Sequence, residues 1–386
     1  MRLVLLIRAL GKAGAEVQLR NLSIGLRQRG HDVIIVTFYA GGAYEMDLRN
    51  RGIRVFSLRK KGRWDLIRFV GRWLRLVNTH KPDIVYSFMT GANIVALFGK
   101  LVCPRLNVVW GIRTSSMDLD LRPSDKLLYL ETQLARYLSR LPELIITNSD
   151  AGNADLISRG YDPQLVTTIH NGVDLETFGP RPNDKTTLLR SLGLPSGTRL
   201  IGIVGRLHPI KNHEMFLNAA QRFIDSGSVA HFLIIGGGDN HLTVGGENSY
   251  VSSINHQITD LKLSDKVTLL GEQNDMAHVY NGLDITTICS KREATPNVLL
   301  ESMACGTPVV ATEVGDIGRL LNGWGILIGV GDVEGLVAAW RRMLARIDNS
   351  IDKQKYSWQL SDYVYKHYST DKMVNNTIVS LSSIQR

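Results

Sequence analysis

Short apolar segments alternate with stretches of helical periodicity along the first half of the chain. Between the segments, apolar residues recur every three or four positions, which is typical of amphipathic helices. The apolar segments are short enough to be buried strands, and they lie at 3–7, 33–38, 53–56, 83–86, 108–111 and 144–147. This alternation predicts a mostly parallel, doubly wound α/β sheet.

The alternation stops near residues 170–174 and restarts at residue 200. The interval reads as a connecting segment because it is marked by prolines, at 180, 182 and 195. The second series of apolar segments lies at 200–204, 232–235, 267–269, 284–288 and 309–311. The chain therefore contains two similar α/β halves.

A chain of 386 residues is too long for one ordinary core. We predict two Rossmann-like domains, 1–178 for the acceptor and 179–365 for a nucleotide sugar. The carboxyl ends of both sets of strands should face a central cleft. The last stretch, 366–386, is expected to form a helix that crosses back onto the first domain.

The composition is that of a globular protein, with 44% apolar and 21% charged residues, but its net charge of +9 is unevenly placed. Up to residue 179 there are 25 Lys and Arg against 16 Asp and Glu, and after it there are 20 of each. The densest basic stretch, 59–77, also carries Trp64 and Trp73 at helical spacing. Such a basic amphipathic helix is typical of a surface helix packed on a sheet or of contact with an anionic membrane, and the two readings are compatible. No recognition motif for nucleic acid accompanies it.

Several features indicate a cytoplasmic protein. The three cysteines, Cys103, Cys289 and Cys305, lie in or beside apolar stretches without metal-ligand spacing, so reduced thiols and no metal site are expected. The first eight residues are too short and too charged for a signal peptide. No apolar run approaches the roughly 18 residues of a membrane-spanning helix.

The richest candidate chemistry surrounds a helix predicted at 296–305. Thr295 is a suitable N-cap, Pro296 suits the first helical position, and Gly306 fits just beyond the end. Free amides at the start of a helix, together with the positive end of its dipole, form a ready anion site.

Within this helix, the amides of Asn297 and Val298 should face the anion, and Glu301 lies one turn further along the same face. A phosphate at the amides would bring ribose hydroxyls to Glu301. Glu293, in the loop before the helix, would lie near whatever extends beyond the phosphates. The alternative is a capped, buried helix with two solvated glutamates.

A second candidate follows the strand at 200–204. Gly205 and Arg206 end the strand, and Lys211 follows five residues later as the next helix begins. Here a planar guanidinium and a mobile ammonium could clamp a diphosphate. Two solvated surface cations are the alternative.

Glycines also follow one strand in each half. Gly11 and Gly14, with Glu16 two residues later, would let the backbone approach a ligand closely. The segment 236–239 is the counterpart in the second half. The first is not a dinucleotide fingerprint, because G-x-G-x-x-G and the ribose-binding acid at the end of the second strand are missing.

Together these segments resemble the retaining glycosyltransferases of family 4, which have the GT-B fold. The resemblance covers nearly the whole chain, and its segments are 11–16, 171–174, 205–206 with Lys211, the Glu293 to Glu301 spacing, and 303–312. It implies metal-independent transfer from a nucleoside-diphosphate sugar, most simply a UDP-sugar, with retention at the anomeric carbon and no cofactor. The acceptor suggested by the basic first half is a lipid-linked saccharide at the inner face of a membrane.

The resemblance also implies roles for individual residues. Arg206 and Lys211 would neutralise the leaving diphosphate, and Glu293 would contact the donor sugar. Glu301 would bind the ribose. The base would lie near Gln273, in the segment 271–273. Gly205 and the amides named above would also bind the donor, and Gly14 would approach the sugar or a phosphate.

Three departures from the family pattern concern sugar contacts. Arg113 stands in the region where many members carry a histidine, so that role is in doubt. Ala294 and Thr295 follow Glu293 where a glycine is common. The segment 314–316 replaces a more usual glycine pair, so the sugar preference is expected to differ.

Other functions are less well supported by the sequence. Asp118 and Asp120 match the D-x-D of metal-dependent glycosyltransferases, but they lie in a polar loop of a doubly wound chain, so we interpret the match as chance. A sugar-nucleotide epimerase or hydrolase of the same fold and a non-catalytic nucleotide- or glycan-binding protein stay open. A dinucleotide oxidoreductase is disfavoured by the missing fingerprint.

Overall fold

The computed structural model describes residues 1–62, 65–113, 126–238, 243–244, 247–348 and 350–385. Trp64 and the Asp118–Asp120 match lie outside this range. The chain forms two compact units, Met1–Gly172 with Thr370–Arg386 and Val173–Ser369. These divisions fall near the predicted limits at 178 and 365.

The first unit is built on a seven-stranded sheet in the order β3-β2-β1-β4-β5-β6-β7. Every neighbouring pair is parallel. The strands are β1 Arg2–Ile7, β2 Asp32–Thr37, β3 Arg54–Ser57, β4 Ile84–Phe88, β5 Asn107–Ile112, β6 Leu144–Thr147 and β7 Val166–Thr168. The sequence predicted the first six; β7 was missed because it is only three residues long and ends in two threonines.

Helices cover both faces of this sheet, as a doubly wound fold requires. They are α1 Gly14–Gln28, α2 Glu45–Asn50, α3 Leu66–His80, α4 Thr90–Leu97, α5 Lys126–Leu138 and α6 Asp150–Ser158, with a 3-10 turn at Phe98–Leu101. Helix α1 packs on one face through Leu19, Leu22 and Leu26. Helices α3 to α6 share the core on the other face.

The predicted basic helix at 59–77 is wrong in its bounds, because α3 begins only at Leu66. Arg59 has φ of 46°, a left-handed conformation that interrupts a helix. The buried face of α3 consists of Phe69, Trp73 and Val77, whereas Ile67 is 89% exposed. Among the described residues of this segment, 59–62 are therefore not helical, and the packed helix starts at Leu66.

The second unit contains a six-stranded parallel sheet in the order β12-β9-β8-β13-β14-β15, with a separate hairpin. The strands are β8 Leu200–Val204, β9 His231–Ile235, the hairpin β10 Thr243–Val244 and β11 Glu247–Asn248, β12 Val267–Gly271, β13 Ile285–Ile288, β14 Val309–Thr312 and β15 Ile326–Ile328. Its helices are α7 Asp184–Ser191, α8 His213–Asp225, α9 Ser249–Asp260, α10 Met276–Gly282, α11 Asn297–Ala304, α12 Ile317–Leu321, α13 Val333–Arg346 and α14 Ser350–Tyr368, with a 3-10 turn at Pro209–Lys211. β15 and the hairpin were not predicted, since each strand has only two or three residues.

A buried charge cluster stands at the amino end of β13. The fully buried Asp284 carboxylate accepts hydrogen bonds from Lys185 Nζ at 2.5 Å, Lys353 Nζ at 2.9 Å and the Leu200 amide at 2.9 Å. Arg199 Nη1 lies 3.5 Å away. Burial alone would raise the pKa of Asp284, but Lys353, Lys185 and the Leu200 amide hold it below its usual value.

The C-terminal segment returns to the first unit, as predicted. Helix α15, Thr370–Ser383, follows α14 after a break at Ser369 rather than continuing it. Val374 fits against Gly25 of α1, where even a single methyl group would lie 2.5 Å from Val374 Cγ2. Among the described residues, no helix is long and apolar enough to cross a bilayer.

Candidate functional site

The loops after four adjacent strands meet at the carboxyl edge of the second sheet. The amide of Gly236, after β9, donates to the Gly271 carbonyl of β12 at 3.0 Å. In the loop after β8, the Leu207 amide donates to the Gly237 carbonyl at 2.8 Å. The Ile210 carbonyl of the same loop accepts from the Lys291 amide, also at 2.8 Å. Because the loops are tied together by backbone hydrogen bonds, the side chains that they carry are held in fixed relative positions.

Gly236 is required for the closest of these approaches. Its φ is 142°, and a Cβ atom there would lie 1.9 Å from the Gly205 carbonyl oxygen. A side chain would push the β8 and β9 loops apart. The first role of the glycines in both loops is therefore to let the loops pack closely against each other.

The structure brings two of the predicted residues into direct contact. Lys211 Nζ and Glu293 Oε1 form a short ion pair, and Ser290 Oγ donates to the same carboxylate oxygen at 2.7 Å. Lys211 lies in the 3-10 turn after β8, and Glu293 follows β13, the neighbouring strand. Both side chains are mostly buried, with exposures of 23% and 13%.

The segment 314–316, noted as a departure from the family pattern, packs on the backbone of Glu293. Gly315 has φ of 54°, and a Cβ atom there would lie 2.1 Å from the Glu293 carbonyl oxygen. The Asp316 amide donates to the Ala294 carbonyl at 3.2 Å. This segment therefore holds the backbone of the Glu293 loop in position.

The prediction of Thr295 as the N-cap of the following helix is wrong. Pro296 is extended, with ψ of 124°, so helical geometry begins at Asn297. The helix spans Asn297–Ala304, and Gly306 follows its end as predicted. Asn297 and Val298 are therefore the first two helical residues, and both are half-buried.

Glu301 lies on α11 and is held by a tyrosine from α10. Tyr280 Oη donates to Glu301 Oε2 at 2.9 Å, and Tyr280 is fully buried. Burial raises the pKa of Glu301 to about 7, although the hydrogen bond from Tyr280 opposes this. The carboxyl group therefore keeps its proton to a higher pH than an ordinary glutamate does.

The remaining predicted donor residues occupy the same edge. Arg206, directly after Gly205, is exposed. Gln273 follows β12 and is half-buried, and its Nε2 donates to the Leu270 carbonyl at 2.7 Å. The two cations, Glu293 and Gln273 thus lie on loops of one sheet edge, and α11, which carries Glu301, follows the loop of Glu293.

The predicted residues of the first unit follow β1 and β5. Gly14 is the first residue of α1, and a Cβ atom on Gly11 would lie 3.9 Å from Glu16 Oε1. Gln18 of the same helix exchanges two 3.0 Å hydrogen bonds with the backbone of Gly172. The start of α1 is thereby joined to the segment 171–172.

Arg113 is oriented by three groups of the first unit. Its Nη1 donates to Asn171 Oδ1 at 2.9 Å, and its Nη2 donates to Tyr86 Oη at 3.4 Å. The guanidinium carbon lies 5.0 Å from the ring centre of Phe88. The side chain is thus held at the carboxyl end of β5, where a bound anion or sugar hydroxyl could reach it.

Sequence reasoning missed Ser290, Tyr280 and Gln18. Ser290 was detectable, since it lies three residues before Glu293 in the same loop. Tyr280 and Gln18 meet their partners only through tertiary packing, 21 and 154 residues away in sequence. No local pattern reports such contacts.

Two family models match the chain. "Glycosyltransferase Family 4" matches residues 13–177, and "Glycosyl transferases group 1" matches residues 198–346. Together they cover most of both units.

Curated relatives carry glycosyltransferase names. The D-inositol 3-phosphate glycosyltransferase of Mycolicibacterium gilvum is 32% identical over 176 residues, which is 45% of this chain and 37% of that protein. The chain thus matches little more than a third of that relative's length. The Escherichia coli UDP-Gal:alpha-D-GlcNAc-diphosphoundecaprenol alpha-1,3-galactosyltransferase is 28% identical over 278 residues, 70% of this chain and 68% of that protein.

Solved structures share the fold over the whole chain. Anabaena HepE, crystallised with UDP and glucose, superposes with a TM-score of 0.83 at 22% identity, covering 100% of both chains. WaaG, a glycosyltransferase involved in lipopolysaccharide biosynthesis, gives a TM-score of 0.70 at 15% identity and covers 97% of this chain and 98% of its own. These likenesses identify the two-domain GT-B architecture. With the family models matching both units, the chain is a member of the family 4 glycosyltransferases.

Proposed function

We propose that the protein transfers a sugar from a UDP-sugar to a saccharide acceptor with retention at the anomeric carbon and without a metal ion. The observation that carries this proposal is the Lys211–Glu293 pair, which lies on the same sheet edge as the start of α11 and Glu301. A nucleoside diphosphate is bound by positive charge, by the amides at the start of a helix and by a carboxylate for its ribose. The name of the Escherichia coli relative supports a UDP-sugar as donor.

In this proposal the leaving diphosphate is bound by cations and by the start of α11. Arg206, Lys211 and the amides of Asn297 and Val298 stabilise the charge that develops as the bond from the anomeric carbon to the diphosphate breaks. An ammonium has three donors. Lys211 can therefore contact a phosphate oxygen and keep its bond to Glu293, which holds it in place.

The acceptor in this proposal is a lipid-linked saccharide at the cytoplasmic face of a membrane. The name of the Escherichia coli relative includes a diphosphoundecaprenol acceptor. The excess of basic residues before residue 179 favours attraction to anionic lipid, and the basic segment 59–77 would be its first point of contact.

The first test is calorimetry with UDP, GDP, ADP and NAD, each in EDTA and in magnesium. We expect UDP to bind without metal, and Glu301→Ala to weaken binding by about tenfold or more, since the carboxylate proposed to accept from the ribose hydroxyls is removed. The exposed Glu214→Ala is the matched control and should bind normally. Absence of diphosphate binding, or equal binding by Glu301→Ala, would overturn the site. Donor consumption without acceptor would instead identify a hydrolase or epimerase.

UDP binding should also depend on pH through Glu301. Ribose hydroxyls donate to the ionised carboxylate, whereas burial raises the pKa of this group to about 7 in the free protein. Affinity should therefore rise as pH increases from about 6 to 8, with proton release on binding. Titrations in buffers of different ionisation enthalpy would measure this release. Glu301→Gln should abolish the component due to the protein and leave only the titration of UDP itself.

A further inference from the structure

Helix α14 of the second unit carries large apolar side chains on two opposite faces. On the exposed face, Ile351, Trp358 and Tyr365 are 74%, 67% and 64% exposed. The other face packs into the same core as α11 through three buried residues, Tyr356, Leu360 and Val364. The exposed face is therefore apolar surface that the core of this unit does not use.

The three exposed residues form one narrow stripe along the helix. They are spaced by seven positions, which is about two turns, or about 10.5 Å, of helix. Apolar residues that recur with this period are the pattern by which one helix pairs with another. Gln354 and Ser361, on one side of the stripe, are polar and uncharged. The pattern therefore indicates a short contact with another helix rather than an extended coiled coil.

The other side of the stripe carries both signs of charge. Lys355 lies there three residues before Trp358, and Asp362 lies there four residues after it. Lys355 is exposed. Lys366 donates to Asp362 Oδ2 at 2.7 Å, so the second carboxylate oxygen can accept from another cation. Because the signs are mixed, neither an anionic lipid surface nor a strongly acidic partner is favoured at this face.

A second copy of the chain is complementary to this face. In a two-fold dimer the same patch of both copies meets itself. If the two helices run antiparallel with Trp358 facing its counterpart, Ile351 lies opposite Tyr365 of the second copy. The same arrangement sets Lys355 opposite Asp362 of the second copy, because antiparallel helices bring equivalent sides of the stripe together. This match occurs twice in each dimer.

A parallel pairing of the helices lacks this match. Its two-fold axis runs along the helices, so the charged side of one stripe would face the uncharged side of the other. Lys355 would then lie near the polar side that carries Gln354 and Ser361. Charge complementarity therefore selects the antiparallel arrangement.

We propose that the exposed face of α14 joins two copies of the chain in an antiparallel, two-fold dimer with Trp358 at its centre. One helix from each copy buries less area than the roughly 1,600 Å² of a standard interface, so the dissociation constant is expected to be on the order of micromolar. This inference does not rest on the proposed function, because no residue of the stripe belongs to the candidate donor site.

The first test is sedimentation equilibrium of the full chain without lipid, from about 1 to 100 μM. We expect a reversible equilibrium between monomer and dimer. Trp358→Gln should raise the dissociation constant by about tenfold or more, because the central aromatic contact is lost. Glutamine keeps helix propensity, so folding should be preserved.

A matched control removes similarly exposed apolar residues from α5. Leu130, Leu134 and Tyr137 are 62%, 46% and 83% exposed, and their joint replacement by glutamine should leave the dimer unchanged. A wild type that stays monomeric at about 100 μM, or equal weakening by both variants, would overturn the inference. So would a Trp358→Gln variant that dimerises normally but loses binding to anionic vesicles, since the face would then contact lipid.

Charge reversal tests the antiparallel arrangement directly. Lys355→Asp and Asp362→Lys should each weaken the dimer by about tenfold or more, because each sets like charges opposite one another twice. An equimolar mixture of the two variants should form a heterodimer, since every facing pair then has opposite signs. If the mixture associates no better than either variant alone, the antiparallel dimer is excluded.

UDP binding separates this inference from the proposed function. Trp358→Gln should bind UDP as the wild type does. If the wild type dimerises through α14 but binds no diphosphate, the inference stands and the donor site fails.

Discussion

Lys211→Ala should lower turnover by about two to three orders of magnitude, or about 3–4 kcal/mol of transition-state stabilisation, while the protein stays folded. The reason is twofold. The departing diphosphate loses a buried cation, and Glu293 loses the ammonium that it contacts. An unpaired, mostly buried carboxylate near the diphosphate would also repel it. Steady-state rates with the preferred UDP-sugar, and calorimetric affinity for UDP, would measure both effects.

Two variants make this result specific. Lys291→Ala removes an exposed cation from the neighbouring loop and should keep near-normal rates. Lys211→Arg should not restore activity, because a planar guanidinium cannot replace a compact ammonium in this space. Near-normal turnover by a folded Lys211→Ala would show that the assignment is wrong.

Asp284→Asn should destabilise the second unit by about 3 kcal/mol. Removing one member of a buried charge cluster leaves the others uncompensated. The value is at the low end of the usual range because Lys185, Arg199 and Lys353 are partly exposed and can be solvated. Urea unfolding followed by tryptophan fluorescence would measure the shift. The matched control is the exposed Asp265→Asn, which should change little.

Acid should affect the wild type and this variant differently. The pKa of Asp284 is lowered in the folded protein, so its contribution to stability is present above the unfolded pKa of about 4 and is lost as pH falls through the folded pKa. The stability difference between wild type and Asp284→Asn should therefore shrink below about pH 4. A difference that stays constant down to pH 3 would exclude this role for the carboxylate.

The fold was largely readable from the sequence because its strands are long apolar runs that stay buried on both faces. The segments at 3–7, 200–204 and 232–235 are of this kind, and each is a central strand. The missed strands β7 and β15 lie at sheet edges and have three residues each. Segments of three residues are too short to show a periodicity. They become strands only by pairing with a neighbouring strand.

The candidate site was readable where chemistry is local in sequence. Arg206 and Lys211 belong to one loop, and Asn297 and Glu301 to one helix. The contact between Lys211 and Glu293 spans 82 residues, so only the order of strands in the sheet reveals it. The predicted helix began too early because arginine is not a residue type that signals a helix break, although Arg59 has a left-handed backbone here.

The return of α15 to the first unit has a consequence for synthesis of the protein. Met373, Val374 and Leu381 complete a core whose other members lie within the first 172 residues. Nearly two hundred residues of the second unit must leave the ribosome before these side chains are available. The face of α1 around Gly25 therefore stays uncovered throughout that interval. A nascent chain at this stage presents an apolar groove to chaperones, and a premature stop before residue 370 would make that exposure permanent.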